Sequence, residues 1–263
     1  VVVVVMMKTA LLLVALALPA LLLAQDPATG WMAYAEGTIP DSAERITYFS
    51  AMWKVGNLAK KSIAFYSPWF GMDPADNLNL IQPVNPWTGL ETQWSMYTEY
   101  FQWSPVHNSN SKSINVSPGQ TLHGELSYNA STDSYVLTQT VVETGEFSSQ
   151  VVACQDGKKY VIPYFVYEKT FPCADYPPEE IVEFYNVTLY CDDKLCTDQI
   201  KWQPLVKDPN CDFTAHIISQ TEIHITWNTS GHTGASIEGM TEKQLIEKNA
   251  VGWAARFRDL LLN

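Results

Sequence analysis

The chain has 263 residues, with 28 acidic against 16 basic side chains and a formal net charge of −12. Charge of that sign argues against nucleic acid and anionic membrane surfaces as partners. It suits a protein that works in acid, where carboxylates lose their charge.

Val1–Val5 precede Met6 and Met7 and read as upstream read-through. Lys8 then leads into TALLLVALALPALLLA, an apolar run broken by Pro19 and closed by the small residue Ala24. A positive start, a run short for a membrane span and a small residue at its end make residues 1–24 a secretory signal peptide. The expected product is a secreted chain from about Gln25, with no further run of spanning length.

Residues 25–230 read as short strands with turn punctuation. TYFSAMWKV (47–55) alternates and is followed by Gly56-Asn57; SIAFYSPWFGMD (62–73) is a second strand. TQWSMYTEYFQW (92–103) is aromatic and β-rich, and SPVHNSNSKS (104–113) is a polar loop. Then come INV, TLHGELSYN (121–129), SYVLTQTVVE (134–143), GEFSSQVVAC (145–154) and KKYVIPYFVYEKT (158–170). Pro163 marks the last of these as an edge or a bulge. IVEFYNVTLYC (181–191), DFTAHIIS (212–219) and EIHITWNT (222–229) complete the set. About ten strands at roughly ten-residue spacing, with few helical patterns between them, predict an all-β antiparallel sandwich.

The tail changes character. Residues 231–240 form a glycine-rich linker, and Thr241 with Gln244 makes a capping box. Ile246, Ala250, Trp253, Phe257 and Leu260 recur at helical spacing. An amphipathic helix is expected over 241–263, packing across a sheet or docking on a partner through 241–261.

Secretion permits disulfides. Cys191 and Cys196 bracket DDKL and are expected to close a small hairpin loop, whereas Cys154, Cys173 and Cys211 cannot all pair. Sequons at Asn115, Asn129, Asn186 and Asn228 mark surface positions for N-glycans. There is no nucleophile elbow, HExxH, Walker loop or dinucleotide fingerprint. His216 and His224 flank a hairpin, but catalytic zinc takes three protein ligands, so neither metal nor cofactor is expected. Carboxylates, amides and aromatics are left to carry function. Trp69, Trp87, Trp94 and Trp103, with Tyr97 and Tyr100, fall within 35 residues and suggest an aromatic groove for an extended peptide or a glycan.

Taken in order, several segments resemble the glutamic peptidases, the eqolisins. WFGMD (69–73) has the family's Trp-x-Gly-x-Asp pattern, and LIQPV (80–84) supplies its glutamine, Gln82. GW (30–31), FSAMWKV (49–55), YFQWSP (100–105), SINVSPGQTLHGEL (113–126), VEFYNVTL (182–189) and DFTAHIISQTEIHITW (212–227) resemble its other strands and turns. The resemblance spans about residues 30 to 228. It implies a concanavalin A-like, jelly-roll sandwich and acid endopeptidase chemistry. In that chemistry a Glu activates water and later protonates the leaving amine, while a Gln amide donates to the developing oxyanion.

Gln82 takes the amide role, and the Glu has two placements. Holding VEFYNVTL to the family's late strand puts Tyr164 of YFVYE at the catalytic position, with Glu168 four residues on. Alternatively EEIVE puts Glu179 there and Glu183 second, directly after Pro177-Pro178. Gln102 stands where the family has an acidic residue before its Trp, here Trp103. Asp73, Gln102 and Tyr164 therefore join the four tryptophans as candidate binding residues. Two functions follow: an acid endopeptidase using Gln82 with Glu179 or Glu168, or a non-catalytic lectin-like module that binds a peptide or glycan. A fold of this kind hosts both.

Overall fold

The computed structural model describes residues 28–230 apart from 29, 63 and 170–174. The expected signal peptide (1–24), linker (231–240) and helix (241–263) lie outside the described residues. Within them the chain is an all-β sandwich of seventeen strands, with short 3-10 turns and no α-helix.

In chain order the strands are β1 (Trp31–Thr38), β2 (Ile46–Lys54), β3 (Phe65–Pro74), β4 (Asn79–Val84), β5 (Trp87–Thr88) and β6 (Gln93–Trp103). They continue as β7 (Val106–Asn110), β8 (Ile114–Val116), β9 (Thr121–Asn129), β10 (Ser134–Val141), β11 (Phe147–Ala153) and β12 (Tyr160–Lys169). Last come β13 (Ile181–Cys191), β14 (Lys194–Leu195), β15 (Lys201–Val206), β16 (Thr214–Ser219) and β17 (Glu222–Thr226). One sheet runs β15-β1-β12-β3-β4-β6-β5, with β7 and β8 paired to β6. The other runs β11-β10-β9-β2-β13-β17-β16, with β14 on β13.

Alternation builds the core between them. β2 sends Phe49, Ala51 and Trp53 inward, and all three are fully buried. Phe49 meets Phe70 at 4.6 Å and Phe165 at 5.5 Å between ring centroids, and Phe165 meets Phe184 at 5.0 Å, in edge-on or tilted pairs. The sheets approach so closely at Gly124 that a Cβ there would lie 2.6 Å from the Phe70 ring and 2.7 Å from Pro83.

β3 and β4 depart from simple alternation. Every residue from Tyr66 to Pro74 and from Asn79 to Val84 is buried. Their inward apolar side chains belong to the main core, and their outward ones belong to a second buried apolar cluster on the outer face of the β3 sheet. Trp31, Trp69, Leu80, Val84, Phe101, Tyr164 and Val166 form it.

Several local expectations change. The expected loop 104–113 contains β7, which pairs along β6 from Trp103↔Val106 to Glu99↔Asn110. LIQPV and KWQPLV add two strands, the first paired with β3 and β6 and the second with β1. Strand β12 is interior, between β1 and β3, and Pro163 follows a register irregularity at Tyr160/Ile162. Cys191 and Cys196 are disulfide-bonded as expected, Cys211 is also in a disulfide, and Cys154 is free.

Candidate functional site

Gln82 lies on β4, between β3 and β6 in the sheet order. Trp69↔Val84 and Met72↔Ile81 flank it on one side and place Gly71 opposite. On the other side Gln82 pairs with Glu99 of β6. Tyr164 of β12 pairs with Gly71 and with Glu36 of β1, which in turn pairs with Gln203 of β15. One row across the outer face therefore reads Gln203, Glu36, Tyr164, Gly71, Gln82, Glu99.

Gly71 is the low point of that row. A Cβ there would sit 2.6 Å from the Ile81 carbonyl oxygen and 2.9 Å from Gln82 Cβ, so only glycine fits against β4. With no side chain between them, Tyr164 and Gln82 face one another across two strand spacings, roughly 10 Å between backbones at ~4.8 Å each.

Each polar partner looks away from that gap. Gln82 Nε2 donates to Glu99 Oε2 at 2.6 Å, and Asn108 Nδ2 donates to Glu99 Oε1 at 2.7 Å. The Glu99 carboxylate is thus gripped by two amides while 8% exposed. Gln82 Oε1 is buried and has no hydrogen-bond partner among the described residues. On the far side the Tyr164 hydroxyl bonds the Glu36 carboxylate; burial pushes that carboxyl above its ordinary value, and the Tyr164 bond offsets part of the rise. Burial, and then the Glu99 charge, raise the Tyr97 phenol well above its usual range.

Neither expected glutamate joins Gln82. Glu168 accepts a bond from Trp69 Nε1 at 3.1 Å and lies four residues along β12 from Tyr164, about 13 Å at 3.3 Å per residue. Glu179 lies before β13, where its Oε1 accepts the Asn57 N–H at 3.0 Å. Burial raises its carboxyl, and the bond from Asn57 partly offsets this.

The other candidates divide by face. Trp69 and Tyr164 are in the outer layer, with Trp103 packed against it and edge-on to Phe101 at 4.6 Å. Trp87 and Trp94 are instead in the main core beside Tyr66, at 6.0 and 5.5 Å. Gln102 bonds Tyr100 and the Pro105 carbonyl, one residue out of phase with Phe101 and Trp103. Asp73 is fully buried. His216 and His224 pair across the β16–β17 hairpin, bonded to Thr226 and Glu222. No cluster of metal-ligating side chains is present among the described residues.

Sequence reasoning missed Glu36 and Glu99. The available signal was parity. Tyr97, Glu99, Phe101 and Trp103 share one face of β6, and a carboxylate among aromatics there needs a partner. Which strand supplies the partner depends on sheet order.

No protein-family model and no curated protein matches this sequence. Solved structures do. Scytalido-glutamic peptidase with a peptide-based transition state analogue aligns with a TM-score of 0.56 at 16% identity, over 75% of this chain and 98% of that one. The same peptidase with a transition state analogue inhibitor gives 0.57 at 14%, with the same coverages. SCP-B, a member of the eqolisin family in complex with the tripeptide Ala-Ile-His, gives 0.54 at 16%, again over 75% and 98%. The chain has the fold of the glutamic peptidases in divergent form.

Proposed function

We propose that this chain is a secreted, glycosylated, non-hydrolytic relative of the glutamic peptidases that binds an extended peptide along the outer face of the β3 sheet. The observation that carries the reading is Tyr164. It faces Gln82 across Gly71, where the resemblance calls for the catalytic glutamate, and its hydroxyl is turned to Glu36.

Hydrolysis needs a base and an oxyanion donor on opposite sides of a scissile carbonyl. The Tyr164–Gln82 gap has that width, but a phenol is a poor base in acid. The Gln82–Glu99 pair has a carboxylate but no gap, because donor and acceptor touch each other. A peptide fits the surface in other ways. Trp69, Leu80, Val84, Phe101 and Tyr164 form a buried apolar layer, and its half-buried edge of Tyr34, Tyr97 and Trp103 is the part a peptide would meet. A peptide N–H that reached the buried Gln82 Oε1 would satisfy an acceptor that has no partner among the described residues. The sequons Asn115, Asn129 and Asn186 are exposed, which supports the glycosylated reading.

A second reading is an acid endopeptidase using Gln82 and Glu99, in which a substrate would have to part the two groups now in contact at 2.6 Å. Denatured casein near pH 3 separates the two. The first reading expects no cleavage by wild type and saturable binding of labelled casein peptides that Gln82→Ala weakens. Cleavage by wild type that both Gln82→Ala and Glu99→Gln abolish would establish the second. Tyr164→Glu restores a carboxylate at the gap, and gain of cleavage by it would confirm that Tyr164 is what the wild type lacks.

A further inference from the structure

The opposite sheet carries a feature that this function does not use. On the outer face around β2 lies an open pocket of about 520 Å³, lined by Thr47, Tyr48, Ser50, Ser127, Tyr128, Thr188, Tyr190 and Asp193. We propose that it is a binding site for a neutral saccharide of one or two rings, carried by another molecule.

The strands explain its shape. Tyr48 pairs with Ser127 of β9 and Tyr190 of β13, and Ser50 pairs with Glu125 and Thr188. Small hydroxyl residues thus form the dip, and tyrosines frame it. Tyr48 and Tyr190 meet edge to face, 5.8 Å apart at 84°, so their rings make a wall and a floor.

The lining chemistry selects the ligand. Tyrosine ring faces suit the C–H faces of a pyranose, and hydroxyls with a carboxylate suit its hydroxyl groups. No cation lines the pocket. Arg45 lies over the Tyr128 ring at 4.1 Å but is paired with Asp133, which disfavours an anionic ligand. The volume falls in the range of small-molecule sites.

Some polar groups are already committed. Tyr48 donates to Glu125 at 2.8 Å, Tyr128 donates to Asp133 at 2.8 Å, and the Thr188 hydroxyl turns to the Asn186 carbonyl. Among the described residues the side chains of Ser127, Tyr190 and Asp193 make no hydrogen bond with the protein, which leaves them for a ligand. Asp193 is held in place by its turn. The Cys191–Cys196 disulfide closes that turn, its N–H donates to Thr47 Oγ1 at 2.9 Å, and Asp192 accepts the Glu44 and Arg45 N–H groups. A carboxylate fixed by its backbone loses little freedom on binding.

The sequons at Asn129 and Asn186 lie within two residues of the lining residues Tyr128 and Thr188 in sequence, so the test uses the full chain from a bacterial host that adds no N-glycans. The probe is an array of neutral hexose and N-acetylhexosamine mono- and disaccharides, followed by titration with the free sugar of the strongest spot. Binding weakened about tenfold (~1.4 kcal/mol) by Tyr190→Ala and by Asp193→Ala, and unchanged in Gln82→Ala, supports the site. Both positions are solvent-exposed, so the fold survives the changes. Ser127→Trp, which fills the dip with a bulky ring, is expected to block binding. A blank array, or wild-type affinity in Tyr190→Ala and Ser127→Trp, overturns the proposal. Casein-peptide binding on the other sheet is read separately and is expected to survive all three changes.

Discussion

Gly71→Ala tests the row that organises the outer face. The added Cβ would stand 2.6 Å from the Ile81 carbonyl oxygen, 2.9 Å from Gln82 Cβ and 3.2 Å from Leu80 Cδ1. Ordinary contacts begin near 3.5 Å, so the backbone contact is short by about 1 Å. A carbonyl oxygen within a paired strand cannot rotate aside as a side chain would. Strand β4 must therefore move, and Gln82 with it. Overpacking of this kind costs about 1–3 kcal/mol, and a backbone clash belongs in the upper half of that range. At roughly 2–4 °C per kcal/mol for a domain of this size, ~2–3 kcal/mol lowers Tm by about 4–12 °C. Thermal melts followed by near-UV circular dichroism measure it, with peptide binding titrated on the same samples. Gly119→Ala is the control, because Gly119 has φ +80° with nothing within 4 Å of the added Cβ, so its cost is backbone strain alone. A Gly71→Ala variant that melts within 1 °C of wild type and binds peptide normally would refute the packing argument and the place of Gly71 in the site.

Glu179→Gln tests a buried charge. Burial raises the Glu179 carboxyl above its ordinary 4.5, with the Tyr66 and Tyr167 phenols and Asp175 nearby. The folded chain then holds a proton at pH values where the unfolded chain has lost it, so this group's contribution to stability falls as pH rises above 4.5. Glutamine keeps an acceptor for Asn57 without the charge, and Tm of the variant relative to wild type should be higher at pH 7 than at pH 4. An equal difference at both pH values would contradict that sign. Replacing Cys191 and Cys196 together by serine opens a loop of sequence separation 5, for a loss of about 2 kcal/mol on the loop-entropy argument. Calorimetry of the double variant reads this loss, and because Asp193 sits in that loop, saccharide affinity should fall as well.

Much of the sandwich was legible because strand alternation is local. Phe49, Ala51 and Trp53, or Leu122 and Leu126, announce a buried face within one strand. The hairpin of β16 and β17 and the Cys191–Cys196 loop are local for the same reason. Strands that lean on distant partners were not legible. β7 is polar and exposed but pairs with β6, and β15 lines up on β1, some 170 residues earlier.

The candidate site divides the same way. Sequence by itself offered Gln82 as a candidate, through the order of the motifs around it, and the Trp-x-Gly-x-Asp stretch that contains Gly71. It also offered Tyr164 as a non-carboxylate at the expected position. Only the tertiary structure decided what Gln82 touches. Glu99 is seventeen residues away on β6, yet their amide and carboxylate meet at 2.6 Å because β4 lies beside β6. Glu36 reaches Tyr164 by the pairing of the first strand with the twelfth. A strand's own residues fix which face each side chain takes. Hydrogen bonding between strands far apart in sequence fixes which side chains share a row, and the chemistry of this face depends on that row.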